Sequence, residues 1–152
     1  MSITHSTFVV ERDYDATPEQ VFAAFADPEA KSRWFTGPDE HVSSPHELDF
    51  RVGGAERVSG GPVGGPVFAY DARYQDIVPG ERIVITYQMH QDDTRLSVSL
   101  ASVQFEVAGA GTRLTYTEHG AFLDGGDSPA SREEGTNMLL DQLGIELAKQ
   151  AS

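Results

Sequence analysis

Cysteine is absent from the 152 residues, which excludes disulfide frameworks, thiolate metal sites and a cysteine nucleophile, and fits a reducing compartment. The fold must stand on packing alone. Long apolar runs are missing as well: none approaches the ~20 residues of a membrane helix, and Met1-Ser2-Ile3-Thr4-His5-Ser6 has neither half of a signal peptide. A soluble, cytoplasmic chain with no membrane partner is expected. Basic residues are scarce, 11 against 24 acidic, and the resulting net charge of -13 repels phosphate backbones. Nucleic acid is therefore not expected as a partner.

Three kinds of chemical motif are also lacking. The five histidines, His5, His41, His46, His90 and His119, show no paired helical spacing, so no metal site is expected. The glycines at 60–66 are broken by prolines and have no Lys-Ser/Thr ending, which removes a phosphate loop. No cofactor is expected. Ser97, Ser99 and Ser102 fall in a strand pattern without a strand-to-helix elbow, so acyl-enzyme chemistry is set aside.

What is present is a single domain's worth of alternating elements, taken as one domain over residues 1–152. Thr7 to Tyr14 reads as a first strand, with Phe8, Val10, Arg12 and Tyr14 on one face. Thr17-Pro18-Glu19-Gln20 opens a helix that turns Val21, Phe22 and Phe25 inward, and Asp27-Pro28 opens a shorter one ending near Trp34-Phe35. Strands are expected over 47–52, 55–59, 67–77, 82–90, 96–107 and 112–119, joined by turns at Pro79-Gly80, Asp92-Asp93-Thr94 and Gly109-Ala110-Gly111. The glycines of 60–66 read as a chain reversal inside a hairpin. Apolar parity switches along 96–107, which predicts a bulge near Ala101. Ser128-Pro129 starts a last helix whose stripe is Met138, Leu139, Leu143 and Leu147, widened by Leu140 and Ile145.

In order, Arg12…Ala16-x-Pro18-Glu19-x-Val21-Phe22, Asp27-Pro28-Glu29…Trp34, Gly53-Gly54, Tyr74-Gln75-Asp76-Ile77-Val78-Pro79, Arg82-Ile83-Val84, Gly111-Thr112-Arg113-Leu114-Thr115 and Gly135…Leu139-Leu140-Asp141-x-Leu143 make a set. From Phe8 to Leu147 the chain resembles the SRPBCC proteins of the START and birch-pollen-allergen-like superfamily. Within them it resembles the group named after the C-terminal domain of the activator of heat-shock protein 90 ATPase. The resemblance implies an α+β helix-grip fold: a curved antiparallel sheet of roughly six or seven strands around a long C-terminal helix, with two short helices after strand one. It does not fix the chemistry, because the superfamily includes lipid carriers, hormone receptors, polyketide cyclases and chaperone activators.

Parity supplies the candidate site. Glu118 shares a face with Leu114 and Tyr116, and the resemblance makes the first and last strands neighbours, so Arg12 and Glu118 are expected to meet at a cavity wall. There Arg12 would orient a polar ligand head. Trp34, Phe35, Tyr70, Tyr74, Tyr87, Met89, Phe105, Tyr116, Phe122 and Met138 would form the rest of the ligand-binding wall. Its mouth is expected near Trp34, Phe35 and the loop 122–126. The favoured function is a binding protein for a small hydrophobic or amphipathic molecule, without catalysis. A cyclase- or hydrolase-like enzyme would need a titratable residue in the cavity, and Glu118, His119 and His90 are its catalytic candidates. A co-chaperone acting on a heat-shock protein 90 type ATPase is the other alternative, and exposed strand edges leave room for a homodimer.

Overall fold

Eleven elements follow one another in the computed structural model, which describes residues 1–38 and 41–151. They are β1 (Ile3–Tyr14), α1 (Pro18–Ala26), α2 (Pro28–Trp34), β2 (His41–Ser43), β3 (Glu47–Leu48), β4 (Ala55–Pro62), β5 (Phe68–Val78), β6 (Arg82–Gln91), β7 (Thr94–Ala108), β8 (Gly111–Leu123) and α3 (Pro129–Gln150). The strands form one antiparallel sheet ordered β1-β8-β7-β6-β5-β4-β2, with β3 beside β4. The sheet curves around α3, as a helix-grip fold requires.

Capping chemistry sets the helix starts. Thr17 and Gln20 form a reciprocal capping box, the Thr17 Oγ1 accepting from the Gln20 amide and the Gln20 Oε1 from the Thr17 amide, at 3.2 and 2.8 Å. Asp27 ends α1 and caps α2. The bend between them is held by Trp34, which donates from Nε1 to the Ala24 carbonyl at 2.9 Å and meets the Phe25 ring edge-on. From α3, Gln142 donates to the Trp34 carbonyl, and the Tyr14 hydroxyl on β1 donates to the Leu140 carbonyl at 2.7 Å. The core lies between these parts: Phe8, Val10, Val21, Phe25, Ile83, Val103, Phe105, Leu114, Leu140 and Leu143 are all buried.

Four local expectations are corrected. Gly60 and Gly61 stand inside β4, not in a turn, and pair with a strand, His41–Ser43, that was not foreseen. The glycines are needed for close approach: a Cβ on Gly61 would lie 2.1 Å from the Pro66 carbonyl oxygen. The strand expected over 47–52 ends at Leu48, where the chain turns through Gly53 at φ 86°. The bulge falls at Leu96, opposite the step from Met89 to His90, because Ser97, Ser99, Ala101, Val103 and Phe105 all keep the inner face. On α3, Met138 and Ile145 are exposed, and the buried line runs through Thr136, Leu140, Leu143, Glu146 and Leu147.

Two glycines should respond oppositely to alanine. At Gly111, the first residue of β8, an added Cβ would sit 2.2 Å from the Tyr14 carbonyl oxygen, so Gly111→Ala is expected to destabilise by about 1–3 kcal/mol. Gly135 in α3 has open space around its missing Cβ, so Gly135→Ala should stabilise by about 0.5–1 kcal/mol through helix propensity. Urea midpoints read both signs.

Candidate functional site

Between the inner sheet face, α2 and α3 the packing leaves a cavity of about 590 Å³. Inward parity on β5 and β6 brings Tyr70, Tyr74, Ile83, Ile85, Tyr87 and Met89 to its wall. Trp34 and Phe35 come from the end of α2, Tyr116 from β8, and Met138 from α3. Eight of the side chains expected at the wall therefore meet there. Thr36, Gly37 and Pro38, which are exposed, mark where it opens, with Met138 across from them. The loop 122–126, expected at the mouth, is not among the lining residues; Asp127 is.

Arg12 does not meet Glu118. In the β1–β8 register Arg12 faces Leu114 and Glu118 faces Phe8, so four residues, about 13 Å, separate them along the ladder. Arg12 instead reaches α3, donating to Asn137 Oδ1 at 2.7 Å and standing 3.4 Å from Asp141. Phe105 lies in the core between Phe22 and Phe25, and Phe122 lies under the Arg132 guanidinium; neither lines the cavity. His119 faces outward, 2.9 Å from the Thr7 hydroxyl, and His90 has the outward parity of its strand.

Glu118 sits one layer behind the wall, fully buried. Its carboxylate accepts from the Tyr87 hydroxyl at 2.8 Å, from the Tyr116 hydroxyl at 2.6 Å and from Arg132 Nη1 at 3.4 Å. Arg132, near the start of α3, continues the network: it donates to the hydroxyls of Tyr87, Ser99 and Ser97 and to Asp127 Oδ2 at 2.9 Å. Burial, reinforced by the nearby carboxylate, pushes both tyrosine hydroxyls well above their ordinary range, so they stay neutral donors. Two tyrosines and an arginine saturate this carboxylate.

A second buried cluster closes the α2 end. Lys31 Nζ donates to Glu56 Oε1 at 2.7 Å, the Tyr74 hydroxyl donates to the same oxygen at 2.7 Å, and His46 Nε2 lies 2.6 Å from Oε2. Burial alone would raise the Glu56 carboxyl; the Lys31 charge and the hydrogen bonds from His46, Lys31 and Tyr74 override it and bring its pKa down to about 2. Lys31 also stands 4.5 Å from the Phe35 ring centroid. His46 Nδ1 is buried without a hydrogen-bond partner among the described residues.

Sequence reasoning missed Lys31, Glu56, His46, Ser97, Ser99, Asp127 and Arg132. One signal was available: Ser97 and Ser99 share parity with Ala101, Val103 and Phe105, which places hydroxyls on a buried face and demands partners for them. No comparable signal marked Lys31 on a seven-residue helix. Among the described residues, no group of three or more His, Asp or Glu side chains is placed to hold a metal. No helix among them is long and apolar enough to cross a membrane.

Comparison with known proteins places this geometry. The Mll3558 protein from Rhizobium loti has 47% sequence identity and a TM-score of 0.89, over 96% of this chain and 99% of that one. A protein from Rhizobium leguminosarum has 42% identity and a TM-score of 0.92, with 97% of each chain covered. The AHSA1-like protein from Aeromonas hydrophila, at 19% identity and a TM-score of 0.72 over 96% of this chain and 94% of that one, shares the fold. No curated protein sequence matches the chain. The family model for Activator of Hsp90 ATPase homolog 1-like proteins matches residues 15–148, nearly the whole length, and the chain belongs to that family.

Proposed function

We infer that the protein binds a small hydrophobic or amphipathic molecule in the cavity between the sheet and α3. The observation that supports this most is the cavity itself: about 590 Å³, inside the range of ligand pockets, left within a core that is otherwise closely packed with aromatic rings. Its wall has the composition such a site needs, aromatic and aliphatic surface with a few fixed polar groups. Acid–base catalysis has less support, because Glu118 is saturated and His90 and His119 lie off the cavity.

Native mass spectrometry with a mixed library of lipids, aromatic polyketides and flavonoids tests the reading. One retained ligand per chain is expected, accompanied by a change in emission from Trp34, the single tryptophan, whose side chain lines the cavity. Met89→Trp, which adds an indole to the wall, should abolish capture while circular dichroism stays unchanged. No retained mass from any class, with Trp34 emission unmoved, would remove the reading.

The co-chaperone alternative draws on a different feature. Val9, Val98 and Leu100 are exposed on the outer sheet face, away from the cavity. Stimulation of a heat-shock protein 90 type ATPase, lost in Leu100→Asp, would favour it over ligand carriage.

A further inference from the structure

The curved sheet is open, and its two edges are guarded unequally. Strand order puts β1 at one end and β2 at the other. β2 extends over His41–Ser43 alone, a length that offers a partner strand little to pair with. β1 runs from Ile3 to Tyr14 and pairs with β8 along all of it, with no shift of register to bend the edge away. It contains no proline. The last part of this edge is protected: Glu11, Arg12 and Asp13 carry charge, Arg12 Nη1 donates to the Glu11 carbonyl at 3.1 Å, and α3 reaches β1 through Arg12 and Tyr14. The first part is not. From Ile3 to Val10 there is no Asp, Glu, Lys or Arg, in a chain whose net charge is -13, and among the described residues no second strand pairs with it.

Charge and side-chain pattern select the partner. An acidic segment would be repelled by the chain as a whole, and a basic one would meet no carboxylate between Ile3 and Val10. An uncharged strand fits, and β1 itself is one. Phe8 and Val10 turn to the core, while Ile3 and Val9, on the outer face, are 62% and 53% exposed. A second β1 laid antiparallel must keep core-facing residues on the core side, so the numbers of each facing pair sum to an even number. Centring the two-fold axis at Ser6 sets Ile3 against the partner's Val9, His5 against the partner's Thr7 and Thr4 against the partner's Phe8, each pair occurring twice. Centring it at Thr7 would set Ile3 against a carboxylate, the partner's Glu11, and at His5 would leave Val9 without an apolar neighbour. The Ser6 register joins both exposed apolar side chains and keeps Glu11 and Asp13 outside the paired stretch. We propose that two copies of the chain pair along Ile3–Val9 of β1 in this register, their sheets merging into one continuous antiparallel sheet. Residues Ile3–Val10 lie off the cavity wall, so the contact is independent of what the cavity holds.

Sedimentation equilibrium from micromolar to millimolar protein, at pH ~8 where an ordinary imidazole is neutral, tests the proposal. A reversible monomer–dimer equilibrium is expected, and it should strengthen with salt, because screening weakens the repulsion between two chains of net charge -13. Val9→Lys places an ammonium against the partner's Ile3 at two symmetric positions and should weaken association at least about tenfold, with the urea midpoint held as the control for folding. Leu100→Asp, on the outer face two strands from the edge, should leave association within about twofold of wild type. The chain has no cysteine, so Ser6→Cys supplies a single thiol on the proposed axis; a short bismaleimide should link it into dimers, and should not link Glu133→Cys, exposed on α3. A monomer at every concentration would overturn the proposal. So would a dimer that survives Val9→Lys, or one that Leu100→Asp abolishes, since the contact would then lie elsewhere.

Discussion

Glu56→Ala is expected to destabilise the protein by about 3–5 kcal/mol, because it removes the one carboxylate that Lys31 contacts among the described residues, deep in the fold. Lys31 is 4% exposed and Glu56 0%, so the ammonium left behind could not recover its hydration, and Tyr74 and His46 would lose their acceptor as well. Glu56→Gln keeps the shape and one acceptor, and its cost should be clearly smaller. The pH dependence has a definite sign. The folded pKa of Glu56 is depressed, from an ordinary 4.5 to about 2, so its stabilisation is fully present above about 4.5 and is lost as pH falls through about 2. The size of that component is about 3 kcal/mol. Urea unfolding at a series of pH values should show the wild type losing stability across this window and Glu56→Gln losing less. Equal pH slopes for the two proteins would show that the Lys31–Glu56 pair does not govern acid stability.

The parts of the fold that were legible in the sequence are those set by local rules. Thr17, Asp27 and Ser128, each followed by proline, mark helix starts because capping and the fixed proline φ act within one turn. Strand alternation placed Tyr70, Tyr74, Tyr87 and Met89 together, because side-chain period does not depend on what lies opposite. Long-range register was not legible. Whether Arg12 meets Glu118 or Asp141 depends on four residues of offset in the β1–β8 ladder, and alternation is blind to an even-numbered slip. The stripe of α3 was misjudged for a related reason. Apolar type alone selected Met138 and Ile145, whereas Thr136 and Glu146 are buried because partners on α3 itself, α2 and the chain end satisfy them. Gly60 and Gly61 read as a turn because glycine signals both a reversal and a close approach, and only the neighbouring strand distinguishes them.

Arg132→Ala should have an effect of the same size, about 3–5 kcal/mol, for a reason that separates stability from recognition. This one side chain joins α3 to β6, β7 and β8 through Tyr87, Ser97, Ser99 and Glu118, and to the preceding loop through Asp127. Without it the Glu118 carboxyl, 1% exposed, keeps only its two tyrosine donors, and two serine hydroxyls on the inner face of β7 lose the guanidinium that donates to them. Arg132→Lys retains the charge but not the fork that spans Ser97, Ser99 and Asp127 at once, so it should recover only part of the loss. A double-mutant cycle with Glu118→Gln isolates the pair, and a coupling of about 1–3 kcal/mol is expected from groups in one network. Arg132→Met combined with Glu118→Gln is the sharper variant, since it removes both charges while keeping the volumes. A buried ion pair replaced in this way is often neutral for stability, even where breaking it from one side is not. If the double variant unfolds at the wild-type urea midpoint, the pair is not a net stabiliser, and its consequence lies in the cavity. There it fixes Tyr87 and Tyr116, both at the cavity wall, as donors to Glu118. The double variant should then loosen those two phenols, because one amide oxygen replaces the carboxylate they share, and change which ring compounds the cavity retains in native mass spectrometry.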